Sequence, residues 1–275
     1  MEEGAELSGE QLADLIGLVR QHTGIAMSER KGVLLQGRLR PRLRALGLQG
    51  YGDYVATVRR GGPEIEAFVN LVTTNDTAFF RTPAVWRYFS EQFLPAWHQA
   101  HGGRTLAIWS AAAASGEECY SIAMLCSEFQ ERHPDFRYRL LCTDISTEVL
   151  ATAEAARYQG RSVERFRAAH PELFAKYMLP SGVGHVVLPA LRQHLQFASH
   201  NLLQSPPRHG HFDLVFLRNV LIYFDEENQR KALRQVRSAM QAGGRLLLGE
   251  QESITRIETA FRFEQQHVYR IAEDA

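Results

Sequence analysis

Up to about residue 80 the apolar positions recur at helical spacing. Leu12, Leu15, Ile16 and Val19 form one group, Leu34, Leu35, Leu39 and Leu43 a second, and Ile65, Phe68, Val69 and Val72 a third. Steps of three and four residues put each group on one face of an α-helix. Gly24, Gly47, Gly50 and the Gly61-Gly62-Pro63 cluster punctuate the stretch. Ser8 followed by Gln11 has the form of a capping box, in which each side chain satisfies the other residue's free amide. The pattern predicts an all-helical N-terminal domain over residues 1–80, made of short helices and tight turns, followed by a linker over 81–103.

Beyond residue 103 short runs of strand formers alternate with helical stretches. Strands are expected at 105–109, 139–143, 195–198, 213–217 and 245–249, with a closing antiparallel pair near 261–263 and 267–271. Helices are expected at 117–131, 147–156 and 226–240, the last stopping at Gly243-Gly244. This alternation predicts a doubly wound α/β sheet over 104–275. The stretch 177–195 fits neither a helix nor a core strand. Its Pro180, Gly182, Gly184 and Pro189 around Val186-Val187-Leu188 suggest a small inserted hairpin.

Composition narrows the class. With 275 residues and 45% apolar content, one or two buried cores are affordable and disorder is excluded. No apolar run approaches the ~20 residues that span a bilayer, and residues 1–10 are acidic and polar, unlike a signal peptide. A cytoplasmic protein with no direct membrane insertion is expected. Cys119, Cys126 and Cys142 lie in apolar segments without C-x-x-C spacing, so they read as buried free thiols and give zinc no support. Thirty-one basic and 31 acidic residues cancel, which excludes a dedicated nucleic-acid binder.

Candidate chemistry begins where the first strand runs through Ser110-Ala-Ala-Ala-Ala-Ser-Gly116 straight into a helix opening with Glu117 and Glu118. Small residues at such a turn let a ligand approach the backbone, and the helix N-terminus offers free amides. The same residues also suit tight packing alone. Asp144, at the tip of the second strand, stands where a carboxylate receives a nucleotide ribose, although the spacing from Gly116 exceeds the usual ~20 residues. Dinucleotide and S-adenosylmethionine both remain open on these grounds. Glu117 and Glu118 argue against phosphate and for a ligand carrying positive charge, such as an ammonium. Acidic enrichment in a first helical turn also follows from the helix dipole alone. His209-Gly-His211, after Ser205-Pro-Pro207, has no carboxylate or thiol neighbour and reads as an exposed loop rather than a metal site.

Four stretches taken together resemble one family, the chemotaxis receptor glutamate methyltransferases of CheR type. They are Thr73-Thr-Asn-Asp-Thr-Ala-Phe-Phe-Arg81, Ile108-Trp-Ser-Ala-Ala-Ala-Ala-Ser-Gly-Glu-Glu-Cys-Tyr-Ser-Ile-Ala-Met124, Asn201-Leu-Leu203 and Phe216-Leu-Arg-Asn-Val-Leu-Ile-Tyr-Phe-Asp225, in the family's order. The resemblance implies a doubly wound, Rossmann-like S-adenosylmethionine-dependent methyltransferase domain with a small β-subdomain near 177–195, preceded by an all-α receptor-docking domain. It assigns cofactor contacts to Asn75, Thr77 and Arg81 from the linker, Glu118 rather than Glu117 after the glycine turn, and Asp144 on the ribose. Asn201, Leu202, Arg218 and Asn219 fall around the adenosine. Arg81 and Tyr223 are placed at the methyl-transfer site. Without the motifs, Arg81 reads as a surface ion pair and Tyr223 as core packing.

The resemblance further implies esterification of glutamate side chains on the helices of chemotaxis-type receptors, with S-adenosyl-L-homocysteine as the second product and a monomeric enzyme. The segment Arg30-Lys31, Arg38, Arg40, Arg42 and Arg44 holds no acid and suggests a docking flank for such glutamate-rich helices, with Pro41 a candidate kink. Three positions depart from the family pattern. Ala112-Ala-Ala-Ser-Gly116 replaces Gly-Cys-Ser-Thr-Gly, Cys119 replaces a proline, and Gly249-Glu-Gln-Glu252 replaces Gly-His-Ser-Glu. The last departure motivates an alternative, a non-catalytic receptor-binding or S-adenosylmethionine-sensing module of the same fold. A nucleic-acid methyltransferase finds no Asn/Asp-Pro-Pro-Tyr-like motif in the sequence.

Overall fold

The computed structural model describes residues 7–207 and 211–272. Its N-terminal bundle comprises α1 (Gly9–Thr23), α2 (Gly32–Ala45), α3 (Tyr51–Arg60) and α4 (Pro63–Val72). Ser8 and Gln11 do form the capping box, and Gly24 ends α1 in a left-handed cap. Leu15, Leu18 and Val19 of α1 pack against Leu35, Leu39 and Leu43 of α2, Tyr54 of α3 and Phe68 of α4. Leu34, which the spacing places with the α2 stripe, is instead 44% exposed, because Leu35, Leu39 and Leu43 already fill the inward face at i, i+4 and i+8. The helix runs on through Pro41. Burying three leucines at about 2 kcal/mol each outweighs the roughly 3 kcal/mol that an interior proline costs.

The arginines of α2 divide between two tasks. Arg42 forks onto Glu64 of α4 through Nε at 3.0 Å and Nη2 at 2.6 Å, and Tyr54 donates to the same carboxylate at 2.9 Å. Arg42 holds the Glu64 carboxyl below its ordinary value against the opposing effect of burial. Arg38 donates to the carbonyls of Val72 and Thr73, both at 2.8 Å, and to Thr74 Oγ1 at 3.1 Å. Arg30, Lys31, Arg40 and Arg44 remain exposed.

Residues 83–100 are helical, with α5 (Pro83–Arg87), a π-helical turn over Tyr88–Phe93, and α6 (Leu94–Ala100). Then follow β1 (Thr105–Ser110), α7 (Glu117–Arg132), β2 (Arg137–Asp144) and α8 (Thr147–Ala155). The expected hairpin is part of a three-stranded antiparallel sheet. It takes in β3 (Arg157–Tyr158), then, after α9 (Arg161–Ala169) and α10 (Pro171–Tyr177), β4 (Met178–Ser181) and β5 (Gly184–Val187), in the order β3-β5-β4. The chain continues through α11 (Pro189–Arg192), β6 (Leu195–Ser199), β7 (Phe212–Leu217), α12 (Glu226–Ser238), β8 (Met240–Leu248), β9 (Phe261–Gln265) and β10 (Val268–Ile271).

The large sheet has the order β6-β2-β1-β7-β8-β10-β9, parallel except for β10, which runs antiparallel to both neighbours. The spacing ended a helix at Gly243-Gly244, whereas α12 ends at Ser238 and the two glycines lie within β8. The register against β7 jumps from Phe212↔Met240 to Leu214↔Arg245, so the glycines are absorbed in a bulge. One hydrophobic layer packs α5, α6 and α7 on the sheet, and a second packs α12 on the other face. His209 lies outside the described residues. The three cysteines are buried and unpaired. Among the described residues no helix is long and apolar enough to cross a membrane.

Candidate active site

From β1 the strand order runs outward through β2 to β6, then returns to β7 on the other side of β1. Such a reversal opens a crevice at the carboxyl ends of the strands, where doubly wound sheets bind their ligands. A cleft of about 870 Å³, open mouth included, lies there. Its walls come from the turn after β1, the tips of β2, β6 and β7, residues 73–78 with Arg81, and the C-terminal end of α1. Asn75, Thr77, Arg81, Glu118, Asp144, Asn201, Leu202, Arg218, Asn219 and Tyr223 all line this one cleft.

The turn after β1 is shaped by Gly116, at φ +92°, where a Cβ would stand 2.7 Å from the Ala153 Cβ of α8. The two acids that follow part company. Glu117 accepts from Ser115 Oγ at 2.7 Å and does not line the cleft, so it adds no charge there. Burial pushes its carboxyl up, with the Ser115 hydroxyl opposing. Glu118 accepts from Ser110 Oγ at 2.9 Å and from Arg218 Nη1 at 2.8 Å, an ion pair whose side chains are almost wholly buried. The acidic first turn therefore presents a neutralised pair, and its weight against an anionic ligand is smaller than the sequence suggests. Arg218 also lies over Trp86, 5.5 Å from the ring centroid, and donates to the Arg81 carbonyl at 2.7 Å. Trp86 Nε1 donates to the same carbonyl at 2.8 Å. The Arg81 backbone is thus pinned, while its half-exposed side chain makes a 3.0 Å bond to the Asp76 carbonyl and a loose 3.4 Å pair with the Asp76 carboxylate.

Asp144 ends β2 with one oxygen accepting the Ala114 amide at 2.9 Å and the other accepting the Ser146 amide at 3.0 Å. Burial pushes its carboxyl up, and the amides pull it back toward the ionised form. A carboxylate has about four acceptor positions, so each oxygen retains capacity. Phe80, Thr82, Ala114 and Asn219 hold positive φ without being glycine. Strained backbone of this kind concentrates at sites the surrounding fold over-determines, and here it flanks the cleft.

Several contributors carried no sequence signal. Thr23 and Ile25, from the helical bundle, line the cleft. They are brought there by an isolated β-bridge between Ile25 and Phe224 and by the Ala26 amide donating to the Tyr223 carbonyl at 2.8 Å. Asn201 donates to the His22 carbonyl at 3.0 Å and Asn228 to the Gly24 carbonyl at 3.0 Å. Asp225, which caps α12, pairs with Arg20 at 2.6 Å. His200 also lines the cleft, and burial pushes its imidazole down, toward the neutral form. In the loop after β8, Gly249 and Glu252 are buried and the departing residues Glu250 and Gln251 are exposed. The difference from the family pattern therefore lies on the surface.

These groups suit a nucleoside carrying an amino-acid tail. Asp144 can receive ribose hydroxyls, Ile145, Leu202 and Val220 offer apolar walls to a flat base, and Ala111, Ala112 and Ala114 leave the backbone within reach. With the doubly wound sheet, this fits a cofactor of the S-adenosylmethionine kind, and the family matches supply the class, a methyltransferase dependent on it. Residues 10–73 match the family described as CheR methyltransferase, all-alpha domain, and residues 75–270 match CheR methyltransferase, SAM binding domain. The chain is 34% identical to the chemotaxis protein methyltransferase of Escherichia coli strain K12, over all of this chain and 95% of that one. It is 33% identical to that of Salmonella typhimurium strain LT2, over 98% and 92%. It is 34% identical to chemotaxis protein methyltransferase 1 of Pseudomonas aeruginosa strain PAO1, over 88% and 89%. The chain belongs to the CheR methyltransferase family. It is a chemotaxis-type methyltransferase with S-adenosylmethionine as cofactor.

Proposed function

We propose that the protein esterifies glutamate side chains on the helices of methyl-accepting chemotaxis receptors. We further assign the ten residues named from the motifs to the cofactor and transfer sites. The observation that carries this reading is their convergence: residues from the 75–81 stretch, from the first turn of α7, from the tip of β2, from the segments just after β6 and β7, and from the loop before α12 line one cleft. When bound, S-adenosylmethionine would supply an electrophilic methyl group on its sulfonium to the acceptor carboxylate and would leave as neutral S-adenosylhomocysteine, the electron pair of the carbon–sulfur bond staying with sulfur. A glutamate acceptor has a pKa of about 4.3, so at neutral pH it is ionised and no side chain has to remove a proton.

What remains for the chain is alignment and exclusion of water. Arg81 has donors left over from its bonds to Asp76 and can orient the incoming carboxylate. The charge on the acceptor disappears in the transition state, so a tight ion pair would stabilise the ground state more. The loose pairing of Arg81 suits an orienting role. Tyr223 lines the cleft and is only partly buried, which supports a role for its hydroxyl at the acceptor. The exposed Arg30 and Lys31 just before α2 and Arg40 and Arg44 within it, beside the exposed Val33 and Leu34, support docking of a helix that is acidic on one side and apolar on the other.

The test is transfer of label from methyl-tritiated S-adenosylmethionine to a receptor cytoplasmic fragment, read as base-labile methanol. The expected result is label in wild type and a loss on the order of 10²-fold in kcat for Tyr223→Phe, the size of effect that misalignment produces, with cofactor affinity held. Base-stable label, or no label on glutamate, would overturn the reading.

A further inference from the structure

Glu252 follows β8 in a tight turn, its own amide donating to the Gly249 carbonyl at 3.2 Å. Its side chain folds back beneath the sheet end and accepts four backbone amides. These are Gly249 at 2.6 Å, Asn219 at 2.7 Å, Val220 at 2.8 Å and Leu221 at 2.7 Å. Four donors match the roughly four acceptor positions of a carboxylate. Three of the donors are consecutive residues, a concave array of N–H groups of the kind that binds anions. In this chain the anion is internal, and Glu252 as a whole is 9% exposed.

Converging three successive amides on one carboxylate requires Asn219 to sit at φ +59°. A non-glycine residue pays roughly 1–2 kcal/mol to adopt that conformation, and the four charge-assisted bonds oppose the cost. Gly249 is part of the same device. A Cβ there would stand 2.6 Å from a Glu252 oxygen and 2.8 Å from the Asn219 amide nitrogen.

The segment so held is a wall of the cleft. Asn219, Val220, Tyr223 and Phe224 line it, and Glu252 does not. The carbonyl of Tyr223 and the bridge at Phe224 receive the N-terminal bundle. We propose that Glu252 is a positioning residue for methyl transfer. By filling the amide array of residues 219–221, it sets the backbone from which Asn219 and Tyr223 reach the cleft. The proposal rests on the role given to Tyr223 above.

The test is a double-variant cycle on methyl transfer with Glu252→Gln, Tyr223→Phe and both together. Folding is checked by circular dichroism, and the amide resonances of residues 219–221 and 249 are followed by NMR. Glu252→Gln keeps the shape but turns an NH2 group toward amide donors. It is expected to stay folded, to move those resonances upfield and to lower kcat at least tenfold. In its background Tyr223→Phe is expected to cost less than a third of its loss in wild type, because the tyrosine is already displaced. Should Glu252→Gln fail to fold, Gly249→Ala, which keeps the carboxylate and crowds it, is expected to give the same kcat loss and the same non-additivity. Wild-type turnover by Glu252→Gln or Gly249→Ala beside an impaired Tyr223→Phe overturns this proposal alone, as do losses that multiply in full. Wild-type turnover by Tyr223→Phe itself removes the Tyr223 assignment and this proposal with it.

Discussion

Asp144 illustrates how a single buried charge connects the fold to the cofactor. In the proposed assignment ribose hydroxyls would donate to the ionised carboxylate, so binding would favour that form. Burial has raised its pKa above the ordinary value, so protonation begins at a higher pH than for a free aspartate. Affinity for S-adenosylhomocysteine should therefore be level at neutral pH and should fall as the pH drops through the raised value. Titrations carried down from neutral pH into the acid range should show that fall in wild type, beginning at a higher pH than a free aspartate would give, and Asp144→Asn should bind weakly with no such dependence. Level wild-type affinity across the range would count against Asp144 as the ribose partner. Asp144 was legible in the sequence because a carboxylate at a strand tip is a local signal. Glu252 was not, because three of its four partners are backbone amides 31 to 33 residues away. No residue type in the sequence announces an amide array.

At the scale of elements, α2 shows why charge runs resist reading from sequence. Six basic residues without an intervening acid suggested one docking flank. The fold draws Arg38 onto the Val72 and Thr73 carbonyls and Arg42 onto Glu64, leaving four exposed. Arg42→Ala would strand a buried carboxylate with Tyr54 as its remaining donor. It should lower the stability of the folded chain by about 2 kcal/mol, measured by chemical denaturation. Because Arg42 depresses the Glu64 pKa, this contribution is present above the ordinary carboxylate pKa and lost as pH falls through the depressed value. The cost of Arg42→Ala should accordingly shrink in acid. Periodicity located the strands of the large sheet to within a few residues. It missed α9, α10 and the reach of β8 back to Met240, since the bulge at Gly243-Gly244 breaks the alternation on which such a reading depends.

Across the whole molecule, the helical bundle and the α/β domain meet at the cleft instead of being merely strung together. Thr23 and Ile25 of the bundle line it, Asn201 and Asn228 bond to the end of α1, and Asn70 of α4 bonds to Ser146 and Thr147 beyond Asp144. Arg38 extends this contact, joining the basic helix to residues 72–74 at the cleft's edge. None of these long-range contacts was visible in the spacing, whereas the order of motifs along the chain was. The central claim is that this single cleft, walled by both domains, holds the cofactor. It is tested most directly by calorimetric titration of S-adenosylhomocysteine into the wild-type chain and into Asp144→Ala. The expected result is micromolar binding by wild type, weakened at least tenfold, ~1.4 kcal/mol, in the variant. Absence of binding by the wild type, or equal binding by both, would contradict it.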